Sequence, residues 1–540
     1  MNILNEKGVR TQLISGVKYV YIDTPYWDKA KKQNRHKREY IGKLDESGSF
    51  VPNKNYLSRQ NLVETGDRTS KQSSPSPFAE RKFFGATHLL DCIGEQTGLT
   101  HDLDAVFGKA ISRKIQSLAY FLVLESESSM YRFGKFAKTH RHPYAKDIAS
   151  QRISELFAGI TEDEKYSFFR HRAARCLQEE YLAYDTTSIS SYSEMMKSVK
   201  YGKNKDLENL PQINLAIVFG EKSMQPIYYR KLPGNINDVS TVGKLLVDMD
   251  FIGVKKAKFI FDRGFYSKRN IDALFRKNHK FVVAGKSNTL ISKDLLNEVR
   301  ESIKHFSNYN EEQQIYAVAK KSVWEYEYTD RRGNTHSKSK PINLFAYYDG
   351  QRAEREKTEF IIKLKEAESA FLNDCMTQSQ QDLLDKYFYS EKTPTGRVPT
   401  KPNNEAIESR MGEFGFFTLL SNHITDAIQA LQIYRSKDVA EKAFSNIKNR
   451  LDMKRTGVSS EEALEGKLFL QFVALTYVSY INQVMAHNDL YKNYTMSTLL
   501  DELDVIELYT YPNKKVHISE VTKKQSDILS CFNVSIDYTL

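Results

Sequence analysis

Between Leu182 and Lys286 the residue pattern admits few folds. LAYDTTSI at 182–189, QINLAIVF at 212–219 and PIYYRKLP at 226–233 are three strand patterns in succession, the last two joined across a Gly220-Glu221 turn. A helical pattern, DVSTVGKLLVDMDFI, then leads to a strand at 257–262, a helix from Lys268 to Lys277 and the strand KFVVAGK at 280–286. Three strands followed by alternating helix and strand confine the chain to an α/β class.

Two of these strands carry an acid where an acid is expensive. Asp185 stands in the middle of the first, and Asp262 ends the fourth, just before Gly264, where the backbone must turn. A lone carboxylate in a strand costs free energy unless it has a partner or a metal. The order of elements is that of a ribonuclease H-like sheet, in which the first and fourth strands are central neighbours, so Asp185 and Asp262 are expected at one site. A third acid belongs to YRSKDVAEKAFSNIK, Tyr434 to Lys448, which reads as one long helix. At about 100° per residue, Tyr434, Lys437, Glu441 and Lys448 fall within about 60° of one another, with Val439, Ala440, Ala443, Phe444 and Ile447 opposite. One acid between two lysines and a tyrosine suits a metal-bound phosphate. The same helix by itself also fits a solvated face with a Lys437–Glu441 pair.

Taken together, these motifs resemble the bacterial insertion-sequence transposases with an Asp-Asp-Glu triad, specifically the insertion-sequence-four group. That group's signature runs Tyr, two residues, Arg, three residues, Glu, six residues, Lys. Here Tyr434, Lys437, Glu441 and Lys448 meet the spacing, with Lys437 in place of Arg. YDTTS around Asp185 and FDRGFYS around Asp262 look like the first and second acidic motifs, and the resemblance runs from about residue 80 to 490. Lysine keeps the charge of arginine but loses its bidentate fork on phosphate.

Around this core the chain divides by composition. Residues 1–70 begin with the strand pattern VKYVYIDTPYW and turn basic from Lys29 to Lys43, where Lys31, Lys32, Arg35, Lys37 and Arg38 interleave with Tyr26, Trp27 and Tyr40. Such a pair of strands could follow a DNA backbone, or be a solvated hairpin whose charges protect an edge. Arg68 to Phe78, rich in Ser and Pro, marks a linker. Residues 79–180 are helical, with a Thr161/Glu164 capping box, and are expected to bind DNA. His140 and His142 fall in a polar loop and read as solvated. Residues 181–290 form the first part of the core, 291–412 a strand-rich insertion, 413–490 the second part, and 491–540 a tail without a motif. Asp238, in PGNIND, reads as the cap of the following helix.

Composition narrows the partners. Lys and Arg number 79 against 68 acids, a net charge of +11, which favours a polyanion. The four cysteines show no metal or disulfide spacing and fit a reducing, cytoplasmic compartment. The N-terminus lacks a secretory pattern, and the longest apolar run, Leu468 to Ile481, is too short and mixed to span a bilayer.

The chemistry follows from the acids and the resemblance. Three crowded carboxylates repel, and two divalent ions would relieve that repulsion and clamp an in-line displacement; Mg²⁺ suits all-oxygen ligands and Mn²⁺ should substitute. The resemblance implies that Asp185, Asp262 and Glu441 are the catalytic, metal-holding triad of a nucleoid-associated enzyme. It would cut double-stranded DNA at transposon ends and join them to target DNA, working as a homodimer in the synaptic complex. Tyr434, Lys437 and Lys448 would hold phosphates, joined by Lys454 and Arg455 just beyond the helix. Some relatives pass through a DNA hairpin and hold a flipped base on an aromatic of the insertion, which makes Trp324 a candidate; a core position fits it equally. The alternatives are a ribonuclease H-like nuclease that never joins, and a repurposed DNA-binding protein that never cuts.

Overall fold

The computed structural model describes residues 8–14, 17–28, 33–45, 48–53, 79–125, 129–175, 180–193, 195–330, 332–373, 375–393, 396–451, 453–513 and 515–537. The linker expected at 68–78, and Lys31 and Lys32, lie outside them. The chain forms two units, residues 1–79 and 80–540.

The first unit holds an antiparallel sheet of β1 (Val9–Ile14), β2 (Val17–Asp28), β3 (Gln33–Leu44) and β4 (Phe50–Pro52), in that order. The basic stretch pairs with the aromatic one as foreseen, β3 against β2, with Arg38 over the ring of Tyr21 at 5.3 Å. Trp27 is exposed.

The second unit opens with β5 (Glu80–Phe83) and five helices: α1 (Gly85–Gln96), α2 (Leu99–Leu124), α3 (Phe133–Thr139), α4 (Ser150–Gly159) and α5 (Glu162–Ala174). The expected capping box starts α5: Thr161 and Glu164 satisfy each other's backbone N–H groups. α2 joins two sequence-predicted helices across Gly108, whose φ of 71° breaks the helical geometry. Contrary to expectation, His140 and His142 are buried. The ring of His140 stacks on Phe136 at 4.2 Å, and its Nε2 lies 2.9 Å from Asp504, while His142 packs against Phe133 and Phe136. Their loop is polar in sequence, but it is roofed by these aromatics and by the C-terminal tail.

Next come β6 (Tyr181–Ser190), β7 (Gln212–Gly220), β8 (Pro226–Pro233), α6 (Asp238–Phe251), β9 (Lys258–Phe261), α7 (Lys268–Arg276), β10 (Lys280–Ala284) and α8 (Leu290–Val299). After these follow β11 (Tyr309–Asn310), β12 (Ile315–Thr329), β13 (Thr335–Tyr348), α9 (Gly350–Leu372), α10 (Gln378–Tyr387), β14 (Phe388–Thr393), β15 (Gly396–Pro402), α11 (Asn404–Met411) and β16 (Phe416–Ser421). The chain closes with α12 (Ala427–Arg435), α13 (Asp438–Ser445), α14 (Glu461–His487), α15 (Met496–Asp504), β17 (Glu507–Thr510), β18 (Val516–Ile518) and α16 (Lys523–Cys531).

A nine-stranded mixed sheet, ordered β11-β12-β13-β16-β10-β9-β6-β7-β8, is the backbone of this unit. β6 and β10 both run parallel to β9, while β7 and β16 run antiparallel to their inner neighbours. Both faces of the central strands are covered, which explains their near-continuous apolar runs. In β9, Phe259 and Phe261 join the core under one face, and Ile260 joins Val282, Phe345, Leu419 and Leu431 under the other. The stretch 291–412 is only partly set apart from this sheet: its helices pack a cluster of their own around Phe360 and Tyr387, and β14 and β15 pair with each other, while its first strands join the main sheet. Asn343–Tyr348 of β13 pair with Phe416–Ser421 of β16, so the β12–β13 hairpin, turning at Asp330–Asn334 as the sequence suggested, extends the sheet itself.

α14 is the axle of the helical part. By length and composition it could cross a membrane, but 78% of its most apolar window is buried inside the protein. Phe469 meets Phe107 and Phe168 at 5.3 and 5.1 Å, and Gly466 lets the helix close onto α4, where a Cβ would sit 2.3 Å from Cα of Phe157. The tail returns to the start of the unit, with β17 between β18 and β5.

Candidate active site

The register of two central strands brings the first two acids together. Tyr184 of β6 pairs with Phe261, the last residue of the parallel strand β9, about 4.8 Å away, so Asp185 within β6 and Asp262, the first residue past β9, follow side by side. Every residue of β6 is buried except Asp185, which is half-buried. Its carboxylate accepts the N–H of Thr186 at 2.7 Å, and Nζ of Lys205 lies 3.7 Å away. Burial pushes Asp185 up to about 6, against the pull of Lys205 and Thr186. Asp262 is shifted the other way. Burial acts on it too, but a 2.6 Å hydrogen bond from the Tyr434 hydroxyl, the N–H of Arg263 and the charge of Lys437 hold it below the usual carboxylate range.

The third acid arrives on a helix that is not continuous. The predicted single helix from Tyr434 to Lys448 is broken into α12, α13 and a π-helical turn, Asn446–Arg450. Ser436 caps α12, its hydroxyl turned back to the Ile433 carbonyl at 2.7 Å, and Lys437 donates its N–H to Tyr434 in a tightened turn. Three of the four signature residues still meet at the acids, with Lys437 at 5.6 Å over the Tyr434 ring, while Lys448 finds its partner in another loop. Tyr434 reaches Asp262, Lys437 pairs with Glu441, and Lys448 points to Asp206 at 2.6 Å. Val439, Ala440, Ala443 and Phe444 bury the back of α13 as expected.

Lys437 is the common neighbour of the acids. Burial would lower its pKa, but the hydrogen bond to Glu441 and the charges of Asp262, Glu441 and Asp185 raise it. All three acids thus lie within its electrostatic reach. The other sequence-predicted residues have partners outside the three acids or stand exposed. Arg455 pairs with Glu208 at 2.7 Å, and Lys454 is exposed. Trp324 is buried, donating its indole N–H to Asp272 at 2.7 Å with Lys268 over its ring at 5.7 Å, which is the core arrangement rather than a presented stacking surface.

Two residues of the site were not foreseen. Asp238 does not cap α6, because Asn237 holds that position and Asp238 is the first helical residue. Its carboxylate accepts the Thr186 hydroxyl at 2.5 Å and faces Lys205 at 3.6 Å. Asn directly before Asp was the available signal, since Asn is itself favoured at the cap position, although Asn237 makes no side-chain capping bond here. Lys205, in the loop between β6 and β7, donates to the Thr186 carbonyl at 2.5 Å and to its hydroxyl at 2.9 Å. Nothing in its polar surroundings marks it in the sequence.

The donor set suits a hard divalent cation: carboxylate oxygens, one of them pushed up by burial, with two ammonium groups drawn in among them. Among the described residues no three His, Cys, Asp or Glu side chains converge closely enough to enclose one ion. Binding would require these side chains to close inward as the ammonium groups withdraw.

A family model described as a transposase DDE domain matches residues 178–477, more than half of the chain. No curated protein matches it. Among solved structures, a piggyBac transposase synaptic complex with hairpin DNA, determined by cryo-EM, is similar at 11% identity over 83% of this chain and 82% of that one, with a TM-score of 0.33.

Proposed function

The chain belongs to the transposase DDE-domain family, and from that premise we propose that it cuts DNA at the ends of an insertion sequence and joins the freed 3′ ends to target DNA. We read it as a member of the insertion-sequence-four group with a ribonuclease H-like core, and Asp185, Asp262 and Glu441 as its triad. The observation that carries this reading is that Asp185 within β6 and Asp262 just past the end of the parallel strand β9 lie side by side, with Lys437 in electrostatic contact with both and with Glu441.

In this reading the chain's own residues bind and orient. Tyr434 fixes the Asp262 carboxylate and keeps it ionised, so that it is ready as an anionic ligand near neutral pH. Lys437, released from Glu441, turns to the phosphate that the DNA brings in, and Glu441 is freed to join the two aspartates. When bound, two divalent ions, Mg²⁺ or in its place Mn²⁺, supply the Lewis acidity that activates a water or a 3′ hydroxyl and offsets charge on the scissile phosphate. Two protomers would hold two ends in one synaptic complex.

The test is incubation of the protein with labelled DNA carrying the element's own ends and Mg²⁺, with cut, hairpin and joined species resolved on one gel. Cut and joined products are expected. Cutting without joining would make the protein a hydrolytic nuclease, and binding without cutting a repurposed DNA-binding protein.

A further inference from the structure

The loop between β6 and β7 sets three charged side chains against charged partners of the site. Lys205 stands between Asp185 and Asp238, at 3.7 and 3.6 Å. One residue on, Asp206 takes the ammonium of Lys448 at 2.6 Å, and two residues further Glu208 takes the guanidinium of Arg455 at 2.7 Å. The loop is pinned beneath them: the Lys205 backbone N–H donates to the Ser188 hydroxyl at 2.6 Å, and the Asn204 side-chain amide donates to the Ser190 hydroxyl at 3.0 Å. Ser190 in turn donates to Glu208 at 2.5 Å.

Each contact has the sign of something that the working site must bind. A cation occupies the acids, and two anions occupy the bases. We propose that Lys205, Asp206 and Glu208 form an autoinhibitory strap, in which Lys205 stands in for a divalent cation and the two acids stand in for DNA phosphates until DNA and metal displace them together. The inference rests on the phosphate-binding role read above for Lys448 and Arg455. Displacement needs only side-chain rotation, since all three strap side chains are about one-third exposed or more, while the backbone stays anchored on β6. Free protein is thereby kept from loading ions without DNA, and from gripping DNA by these two bases without giving up the acids' counter-charges.

Two measurements on the full chain test the strap. The first is the affinity for a duplex carrying the element's ends. Asp206→Asn and Glu208→Gln should each tighten binding roughly twofold to fivefold, the worth of one partly exposed ion pair. Because removing any acid weakens repulsion from DNA, Asp206→Asn is repeated in a Lys448→Gln background, where the strap predicts that the gain disappears. A gain that persists there, or no gain in either single variant, overturns the proposal. The second is thermal stabilisation of DNA-free protein by Mn²⁺. Lys205→Gln should reach half-maximal stabilisation at several-fold lower Mn²⁺ than wild type, while Lys205→Arg, which keeps the charge, should not. Equal midpoints in Gln and Arg variants overturn the cationic half. A wild-type protein that neither binds nor cuts the end DNA sinks the transposase reading itself, whereas normal cutting with unchanged variants sinks only the strap.

Discussion

The Tyr434 hydroxyl donates a 2.6 Å hydrogen bond to Oδ1 of Asp262, joining the end of α12 to the end of β9. The bond orients one acid of the site and supplies part of the pull that keeps it ionised in spite of burial. It also gives the tyrosine of the signature a role that spacing alone did not reveal. Tyr434→Phe removes one donor from that carboxylate, so the Asp262 pKa should rise. The acid limb of the cleavage rate against pH should move to higher pH, with a loss of about 1–3 kcal/mol in folding stability. An unmoved limb in a folded Phe variant would show that Asp262 is not titrating in the reaction.

Asp185 carries a destabilising charge at neutral pH. Its folded pKa, about 6, lies above the ordinary 3.8, so its contribution to stability is present below about pH 4 and lost as pH rises through 6. Asp185→Asn should therefore be more stable than wild type at pH 7, by roughly 1–3 kcal/mol, and equal to it near pH 4. The same variant should neither cut nor join, and should lose the thermal stabilisation by millimolar Mg²⁺ or Mn²⁺ that wild type shows. Cleavage near the wild-type rate by a folded Asp185→Asn protein would falsify the assignment.

Lys437 and Lys448 are expected to meet phosphates once DNA displaces their acidic partners. Neutralising either to Gln should reduce the slope of log affinity against log salt by about 0.9 for each phosphate that the variant no longer neutralises. Identical slopes in wild type and both variants would leave the two lysines as ion-pair partners of Glu441 and Asp206 and nothing more.

His142 and His423 are both pushed down to about 4, chiefly by burial and then by nearby positive groups, which are Lys82, His140 and Arg141 for the first and Lys280 and Lys258 for the second. Each is neutral when folded and becomes charged near 6.5 when unfolded. The stability they contribute is complete above about pH 6.5 and is lost as pH falls toward 4. The Tm should fall across that window, and His142→Phe, placed among Phe133 and Phe136, should fall less steeply.

Trp324 offers a direct contrast between packing and base stacking. Trp324→Ala should cost about 3–5 kcal/mol of stability, as expected for a large core side chain. Trp324→Phe should keep most of the packing and forfeit the bond to Asp272. If the Phe variant keeps wild-type Tm and nicking yet forms no hairpin product, the ring serves DNA and not the core.

Much of this architecture is legible in the sequence because it is local. The alternation in LAYDTTSI and KFIF, the turns and the capping box of Thr161 and Glu164 depend on residues within a few positions of one another, and between 182 and 286 the strands and helices stand within a residue or two of where the pattern puts them. Even the pairing of Asp185 with Asp262 could be anticipated, since the order of strands and helices left one arrangement of the sheet. Tertiary structure decided what depends on partners far along the chain. Ser436 interrupts a helix that hydrophobic period alone would run through, and Lys448, beyond a π-helical turn, pairs with Asp206 of a distant loop while Tyr434 and Glu441 stay beside Lys437. Asp238 and Lys205 are ordinary polar residues until the start of α6 and a loop are folded against β6. The hairpin of the insertion extends the main sheet because β13 finds β16, and the tail finds β5. A hydrophobic period reports which side of an element is buried, but not what buries it, and a charge carries no record of the opposite charge it will meet.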